Sequence, residues 1–290
     1  MIDATSPLVQ PTTDHALEPA QPRAEIAPSP ATQDAKDARK GYALITGASS
    51  GIGKAFAQVL ATKKKPLLLI GKDEQKLKTL SEELRSREGI DVRFLAIDLA
   101  RSKELPLLPD KLRRMGIVVD VLINNAGFGK YGNEEDIRYE DALNMINLNC
   151  RAVLALTKLF LPEMLKRGKG AIINIASTAG LAPWPKMSTY AATKAFVINY
   201  SQSLSQELKG KGIKVLCACP GPVATSFQVR AGMKVDLKDY ESYSDPQTVV
   251  EQTLAALKSN KDLVIVGRST SKTKLLLKFL PRALFNKWTD

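Results

Sequence analysis

The chain has 290 residues, 44% apolar and 25% charged, and no apolar run reaches the length of about 18 residues that a membrane span needs. Three cysteines and one histidine, His15, leave no material for a disulfide framework, a histidine zinc site or a Ser-His-Asp triad. The net charge is +12, and because residues 1–38 hold six acids against two bases, the remainder carries +16. Such a body suits anionic partners, phosphorylated cofactors among them.

Residues 1–40 contain six of the sixteen prolines and no Phe, Tyr or Trp, so they read as a disordered Pro/Ala-rich tail with little to bury. The tail has neither the apolar centre of a secretion signal nor the Arg-rich character of a transit peptide. The scarcity of cysteine fits a reducing, cytoplasmic setting.

From Gly41 the pattern becomes regular. Short apolar runs stand at Tyr42–Thr46, Leu67–Ile70, Val92–Ile97, Val118–Ile123, Ala171–Ala176, Ile213–Ala218 and Leu263–Val266. Their length predicts strands buried on both faces. Helical spacing, as in Ile52, Phe56, Val59 and Leu60, fills the intervals. The alternation predicts an α/β fold: one Rossmann-like, doubly wound parallel sheet of about seven strands, in a single domain over residues 41–267.

The first strand runs into Thr46-Gly47-Ala48-Ser49-Ser50-Gly51-Ile52-Gly53 and then into a helical pattern. A phosphate seated on a helix N-terminus needs bare backbone N–H groups, which such a loop offers. A literal G-x-G-x-x-G occurs instead at Gly127, Gly129 and Gly132, but it opens no helix and reads as a loop flanking the site. After the second strand come Gly71, Lys72 and Asp73. An acid at that strand end would bind the ribose of NAD, and a cation would meet the 2′-phosphate of NADP. Asp73, followed by Glu74-Gln75-Lys76-Leu77, reads as a helix N-cap. Further along, Tyr190 and Lys194 are four apart and share one helix face, where an ammonium is expected to pull the tyrosine pKa down from about 10. Asn144, Asn147 and Asn149 lie close together, and spacing alone does not choose among them.

These motifs together resemble the short-chain dehydrogenase/reductase family, in a branch with long-chain 3-oxoacyl and hydroxysteroid reductases. The family's T-G-x-x-x-G-x-G is matched by Thr46 through Gly53, its N-N-A-G by Asn124-Asn125-Ala126-Gly127, its Y-x-x-x-K by Tyr190 through Lys194, and its P-G turn by Pro220-Gly221. The resemblance implies a carbonyl or alcohol oxidoreductase with four catalytic residues. Tyr190 is the acid/base, Lys194 lowers its pKa and holds the nicotinamide ribose, Ser177 polarises the carbonyl, and Asn149 holds a relay water. It further implies a cofactor site made by Gly47, Ser49, Ser50, Gly51, Ile52, Gly53, Lys72, Asp98, Asn125, Ala126, Gly127, Tyr190, Lys194, Pro220, Gly221, Val223 and Thr225. In the family register Gly71 stands where NAD enzymes carry aspartate and Lys72 where NADP enzymes carry a base, so NADP is expected. The family's helix-ending glycine is missing from Thr62-Lys63-Lys64-Lys65-Pro66.

Substrate is expected between residues 128–139, 178–187 and 224–243, whose Phe128, Tyr131, Leu181, Trp184, Phe227 and Met233 suit an apolar carbonyl compound or, equally, close the core or a dimer interface. Residues 268–290 form a basic segment in which Lys274, Lys278 and Arg282 would line one helix face and Pro281 would kink it. It reads either as a peripheral membrane contact or as a cap on its own domain or a partner subunit. The family resemblance implies a homodimer or homotetramer, and no nucleic-acid recognition motif is present. A cofactor-sensing regulator without turnover is the alternative reading, opposed by the complete Asn–Ser–Tyr–Lys set.

Overall fold

The structure, a computed structural model, describes residues 41–268; the expected tail over residues 1–40 and the segment from residue 269 onward lie outside the described residues. Seven strands, β1 (Tyr42–Thr46), β2 (Leu67–Gly71), β3 (Val92–Ala96), β4 (Val119–Asn124), β5 (Gly170–Ile175), β6 (Ile213–Pro220) and β7 (Leu263–Val266), form one sheet in the order β3-β2-β1-β4-β5-β6-β7. Every pairing is parallel. The connecting helices are α1 (Gly51–Thr62), α2 (Glu74–Glu88), α3 (Leu108–Arg114), α4 (Tyr139–Ile146), α5 (Ala152–Arg167), α6 (Ser188–Glu207), α7 (Phe227–Ala231), α8 (Leu237–Ser242) and α9 (Pro246–Lys258).

Successive residues of a strand point to opposite faces. Ala43, Ile45, Leu67 and Leu69 therefore enter one core layer with Phe56, Leu77 and Val250, while Leu44, Leu68 and Ile70 enter the other with Leu112, Leu156 and Leu204. The first layer lies under α1, α2 and α9, the second under α3, α5 and α6. The expectation of burial on both faces fails at the sheet edges: β3 and β7 are only half-buried, because each has one neighbouring strand and leaner helix cover.

The missing glycine after α1 has a structural answer. Lys64 itself adopts the left-handed conformation, φ 58°, and its Nζ donates to the Glu88 carbonyl at 2.8 Å and carboxylate at 3.2 Å. The side chain thus ties the end of α1 to the end of α2. Asp73 does cap α2, its carboxylate accepting from Lys76 N at 3.0 Å.

Strand order reverses between β1 and β4, which opens a crevice at the carboxyl ends of the strands. All the candidate residues lie along that edge. Among the described residues no helix is long and apolar enough to cross a membrane.

Candidate active site

The loop from β1 to α1 needs its three glycines for two separate reasons. Gly47 and Gly51 have φ of +65° and +53°, where an L side chain is strained. Gly53 has no such angle, yet a Cβ there would overlap the Gly47 carbonyl oxygen and lie 2.6 Å from Asn125 Nδ2. The N-cap of α1, Ser50, makes no side-chain capping bond, and the first turn has no acid, so its backbone donors stay available to an anion. Thr46 braces the loop from below: its hydroxyl donates to the Ile123 carbonyl and accepts from the N–H groups of Asn125 and Ala126, both at 2.9 Å. Asn125 returns a side-chain bond to the Thr46 carbonyl at 2.8 Å. In the protein's own structure Asn125 is therefore a strut of the glycine loop. Ile52 packs half-buried against the core and leaves its backbone on the loop.

At the end of β2 the Ser49 hydroxyl faces Gly71, 3.5 Å from where a Cβ would stand. Lys72 is largely exposed, and its Nζ lies 3.9 Å from the Asp98 carboxylate. Asp98 also accepts from Ala100 N at 3.0 Å, which holds it at the end of β3. Asp73 is drawn away to Lys76, whose ammonium lies 2.6 Å from it and holds the carboxyl below its usual range. A groove of about 470 Å³ runs from Ser49, Ser50 and Gly51 between α1 and α2, past Lys54 and Lys76. On the other side, a Cβ at Gly51 would meet Thr225 Cγ2 at 3.1 Å, so the chain leaving β6 reaches the glycine loop. Pro220 ends β6, Gly221 N donates to the Val266 carbonyl at 3.3 Å, and Val223 is buried in the first core layer.

The four predicted catalytic residues come together from three elements. Ser177 follows β5 and caps the short 3-10 turn Thr178–Leu181, its hydroxyl accepting from Ala179 N at 3.1 Å. That turn lies directly on α6: a Cβ at Gly180 would stand 2.5 Å from the Lys194 carbonyl carbon. Tyr190 and Lys194 occupy the first two turns of α6, both buried, with Lys194 Nζ 5.7 Å from the centre of the Tyr190 ring. The Lys194 ammonium donates to the Ile175 carbonyl at 2.9 Å. Gly127 leaves the space beside it, since a Cβ there would lie 3.0 Å from Asn149 Oδ1 and 3.3 Å from Lys194 Nζ.

Among the three neighbouring asparagines the structure brings Asn149 to the site. It lies on a π-helical turn, Asn147–Arg151, between α4 and α5, a distortion that often marks functional positions. Its Nδ2 donates to the Phe128 carbonyl at 2.9 Å and to Thr193 Oγ1 at 3.0 Å, and its Oδ1 accepts from Phe128 N at 3.1 Å. Both amide protons are thus committed, and the side chain pins the Gly127–Gly129 loop to α6.

The expected lowering of the tyrosine pKa is not what the protein's own groups produce. Burial raises Tyr190 to about 12, against the opposing hydrogen bond from Ser177, and burial lowers Lys194 to about 8. Desolvation disfavours whichever form is charged, so it drives the two in opposite directions. Cys217, Cys150 and Cys219 act against the shift of the lysine. That arrangement, like the Thr193 bond to Asn149, was invisible in the sequence because the partners lie on different elements.

On the substrate side, Phe227 and Phe128 do gather at Tyr190, together with Met145, Met187 and Ile137. The Phe227 ring lies 5.3 Å from the Tyr190 ring, tilted by 49°. Leu181 closes the core instead, packing with Val197 and Ile198, because the 3-10 turn directs it to the α6 flank. Trp184 and Tyr131 stand at the surface. Among the described residues no cluster of His, Cys, Asp or Glu could hold a metal.

The family model for short chain dehydrogenase matches residues 41–236. The chain belongs to the short-chain dehydrogenase family. Curated relatives include very-long-chain 3-oxoacyl-CoA reductase of Rattus norvegicus, 36% identical over 192 residues, a match covering 64% of this chain and 60% of the relative. The chain thus spans well under two thirds of that relative. Very-long-chain 3-oxoacyl-CoA reductase-B of Danio rerio is 33% identical over 255 residues, 85% of this chain and 78% of the relative. A solved short-chain dehydrogenase from Sphingobium yanoikuyae in complex with NADPH superposes with a TM-score of 0.73 at 35% identity, covering 78% of this chain and 87% of that one. Family membership agrees with the parallel seven-stranded sheet and the motif order along the chain.

Proposed function

We propose that the protein is an NADP-dependent oxidoreductase that interconverts a carbonyl and a secondary alcohol on an apolar substrate. The observation that carries this reading is the convergence of Ser177, Tyr190 and Lys194 beside Gly127, next to the Asn125–Ala126 backbone that packs on the glycine loop, walled on one side by Phe128, Phe227 and Met187. The residues fit a nicotinamide dinucleotide: the loop of Gly47, Gly51 and Gly53 is a cradle that side chains would fill, and the α1 donors face it. When bound, that cofactor supplies or accepts the hydride. Tyr190 Oη transfers the proton to or from the substrate oxygen, and the Ser177 hydroxyl donates a hydrogen bond to the same oxygen as negative charge develops there. Lys194, held on the Ile175 carbonyl, holds positive charge near the tyrosine. Asn149 positions Phe128 and the backbone before it.

Lys72 supports NADP over NAD, because it places a cation after β2 while Asp73 is occupied in capping α2. The relatives' names and the apolar wall support a 3-oxoacyl or similarly greasy ketone as substrate. A homo-oligomer is supported by exposed apolar side chains on α4 and α6, among them Leu143, Ile146 and Phe196. The free thiols of Cys150, Cys217 and Cys219 support a reducing, cytoplasmic setting. The test is NADPH oxidation against a panel of alkyl and aryl ketones and 3-oxoacyl thioesters. Tight NADPH binding with no turnover of any of them would favour the regulator instead.

A further inference from the structure

The chain between Val223 and Ser244 leaves the sheet and returns to its starting point. Val223 and Ser244 pair as an isolated parallel bridge, Ala224 N donates to the Ser244 carbonyl at 2.9 Å, and Ser244 N donates to the Pro222 carbonyl at 2.9 Å. Within this closed excursion α7 is fastened at both ends. At its start Phe227 N donates to Thr225 Oγ1 at 3.2 Å, and at its end Tyr131 N donates to the Ala231 carbonyl at 2.8 Å. Its second residue, Gln228, is only 6% exposed, and its Nε2 donates to the Val223 carbonyl at 3.0 Å. The other end of the same amide, Oε1, is buried without a partner among the described residues. Rotating the amide would set two oxygens against each other, so the assignment is forced by the bond to Val223.

A buried amide with one end unpaired is unfavourable, and an apolar side chain of that size would avoid the penalty. Packing therefore does not account for glutamine at this position; the bond to Val223 does. The residue before it, Phe227, lies on the Tyr190 ring, and Gly129 leaves no room behind that pair, a Cβ there falling 3.0 Å from both rings. The residue two before Phe227, Thr225, stands over the glycine loop, where a Cβ at Gly51 would meet its Cγ2 at 3.1 Å.

We infer that α7 is a tie between the cofactor loop and the catalytic tyrosine, with Gln228 the positioning residue that locks Val223 to the helix and Phe227 the side chain that carries the coupling to Tyr190. This rests on the proposed dinucleotide and carbonyl chemistry. A shift of Val223 and Thr225 then moves Phe227 against Tyr190, and loosening Gln228 uncouples the two ends.

The test uses the full chain with NADPH and one aliphatic ketone that the wild type reduces. Gln228→Leu is expected to weaken NADPH binding at least threefold by fluorescence titration and to lower kcat about tenfold. Phe227→Ala leaves NADPH affinity unchanged, lowers kcat about tenfold and raises KM for the ketone. In the Phe227→Ala background, Gln228→Leu costs less than threefold further in kcat, because the coupling is already cut. Gln228→Glu supplies a readout that mere loss of packing does not move. Its carboxylate repels the Val223 carbonyl, whereas the protonated acid restores the donor, so its kcat relative to wild type rises as pH falls from 8 to 6. If Gln228→Leu does not stay soluble, this pH-dependent ratio carries the test. Wild-type NADPH affinity in Gln228→Leu, additive kcat losses in the double variant, or a flat Gln228→Glu ratio would overturn the tie. Failure of the wild type to bind NADPH at all overturns the functional reading instead.

Discussion

The glycine loop at residues 46–53 and the excursion at residues 223–244 face each other across the cleft and keep their shapes by opposite means. The loop is shaped by absence: two glycines at positive φ and a third pressed against Gly47 and Asn125 allow the backbone to close on itself. The excursion is shaped by contacts: the Val223–Ser244 bridge and the Phe227–Tyr190 ring pair join parts of the fold that the chain order separates, and the Gln228 clamp fixes the short turn between Val223 and the helix. Consequently an added methyl group should damage the first, and a deleted contact the second. A site built this way can keep one end constant for a cofactor while the other accepts new apolar side chains around Tyr190.

The largest effect is expected at the tyrosine on which the excursion packs. Tyr190→Phe keeps the ring that Phe227 packs on and removes only the proton donor, so kcat should fall about 10³-fold while NADPH affinity holds in a fluorescence titration. Residual turnover near the wild-type rate would show that another group is the acid. Gly53→Ala adds one methyl at the closed end. Overpacking of about 1–3 kcal/mol predicts NADPH binding about ten- to a hundredfold weaker, or a matching loss of thermal stability. Unchanged binding and stability would mean the loop has slack that the contact distances exclude.

A smaller change separates the cofactor's two phosphorylation states. Lys72→Ala should weaken NADPH by about tenfold and leave NADH nearly unaltered, as a single charge-assisted contact is lost. Equal weakening of both would return Asp73 to consideration as a ribose ligand. The buried lysine gives a further test through pH. Its folded-state pKa is lowered from 10.5 to about 8, so the unfolded chain holds that proton more tightly. Stability must therefore rise as pH climbs from about 8 towards 10.5. Relative to Lys194→Met, the wild type should gain about 1–2 kcal/mol between pH 7.5 and 9.5 in urea titrations. Tyr190, raised to about 12, works in the other direction only above pH 10. Identical pH slopes for the two proteins would place the Lys194 pKa near its ordinary value. The smallest effect is expected at Lys64→Gly, where relief of the left-handed backbone opposes loss of the Glu88 contacts, leaving a change within about 1 kcal/mol by thermal melting.

Much of the architecture is legible in the sequence. The strand runs predicted at Tyr42–Thr46, Leu67–Ile70 and Leu263–Val266 fall within a residue of the observed ones, because buried parallel strands are short, apolar and continuous. The α2 cap by Asp73 was readable for the same reason, being a contact across three residues. The edge strands β3 and β7 were overestimated in burial because pattern alone does not say which strands lack a neighbour. Of the two readings open for Leu181, lining substrate or closing the core, the structure takes the second, because its direction depends on how the 3-10 turn meets α6.

What the sequence determined by itself is the set of local geometries: the glycine angles, the strand and helix alternation, and the i, i+4 placement of Tyr190 and Lys194, all properties of short stretches of backbone. Tertiary structure alone decided the state of those groups. The shared burial that raises the tyrosine and lowers the lysine, the commitment of both Asn149 amide protons to Phe128 and Thr193, and the Phe227 ring on Tyr190 depend on solvent exclusion and on partners from separate elements. Desolvation acts on volume in space rather than on order along the chain, so no spacing of residues records it.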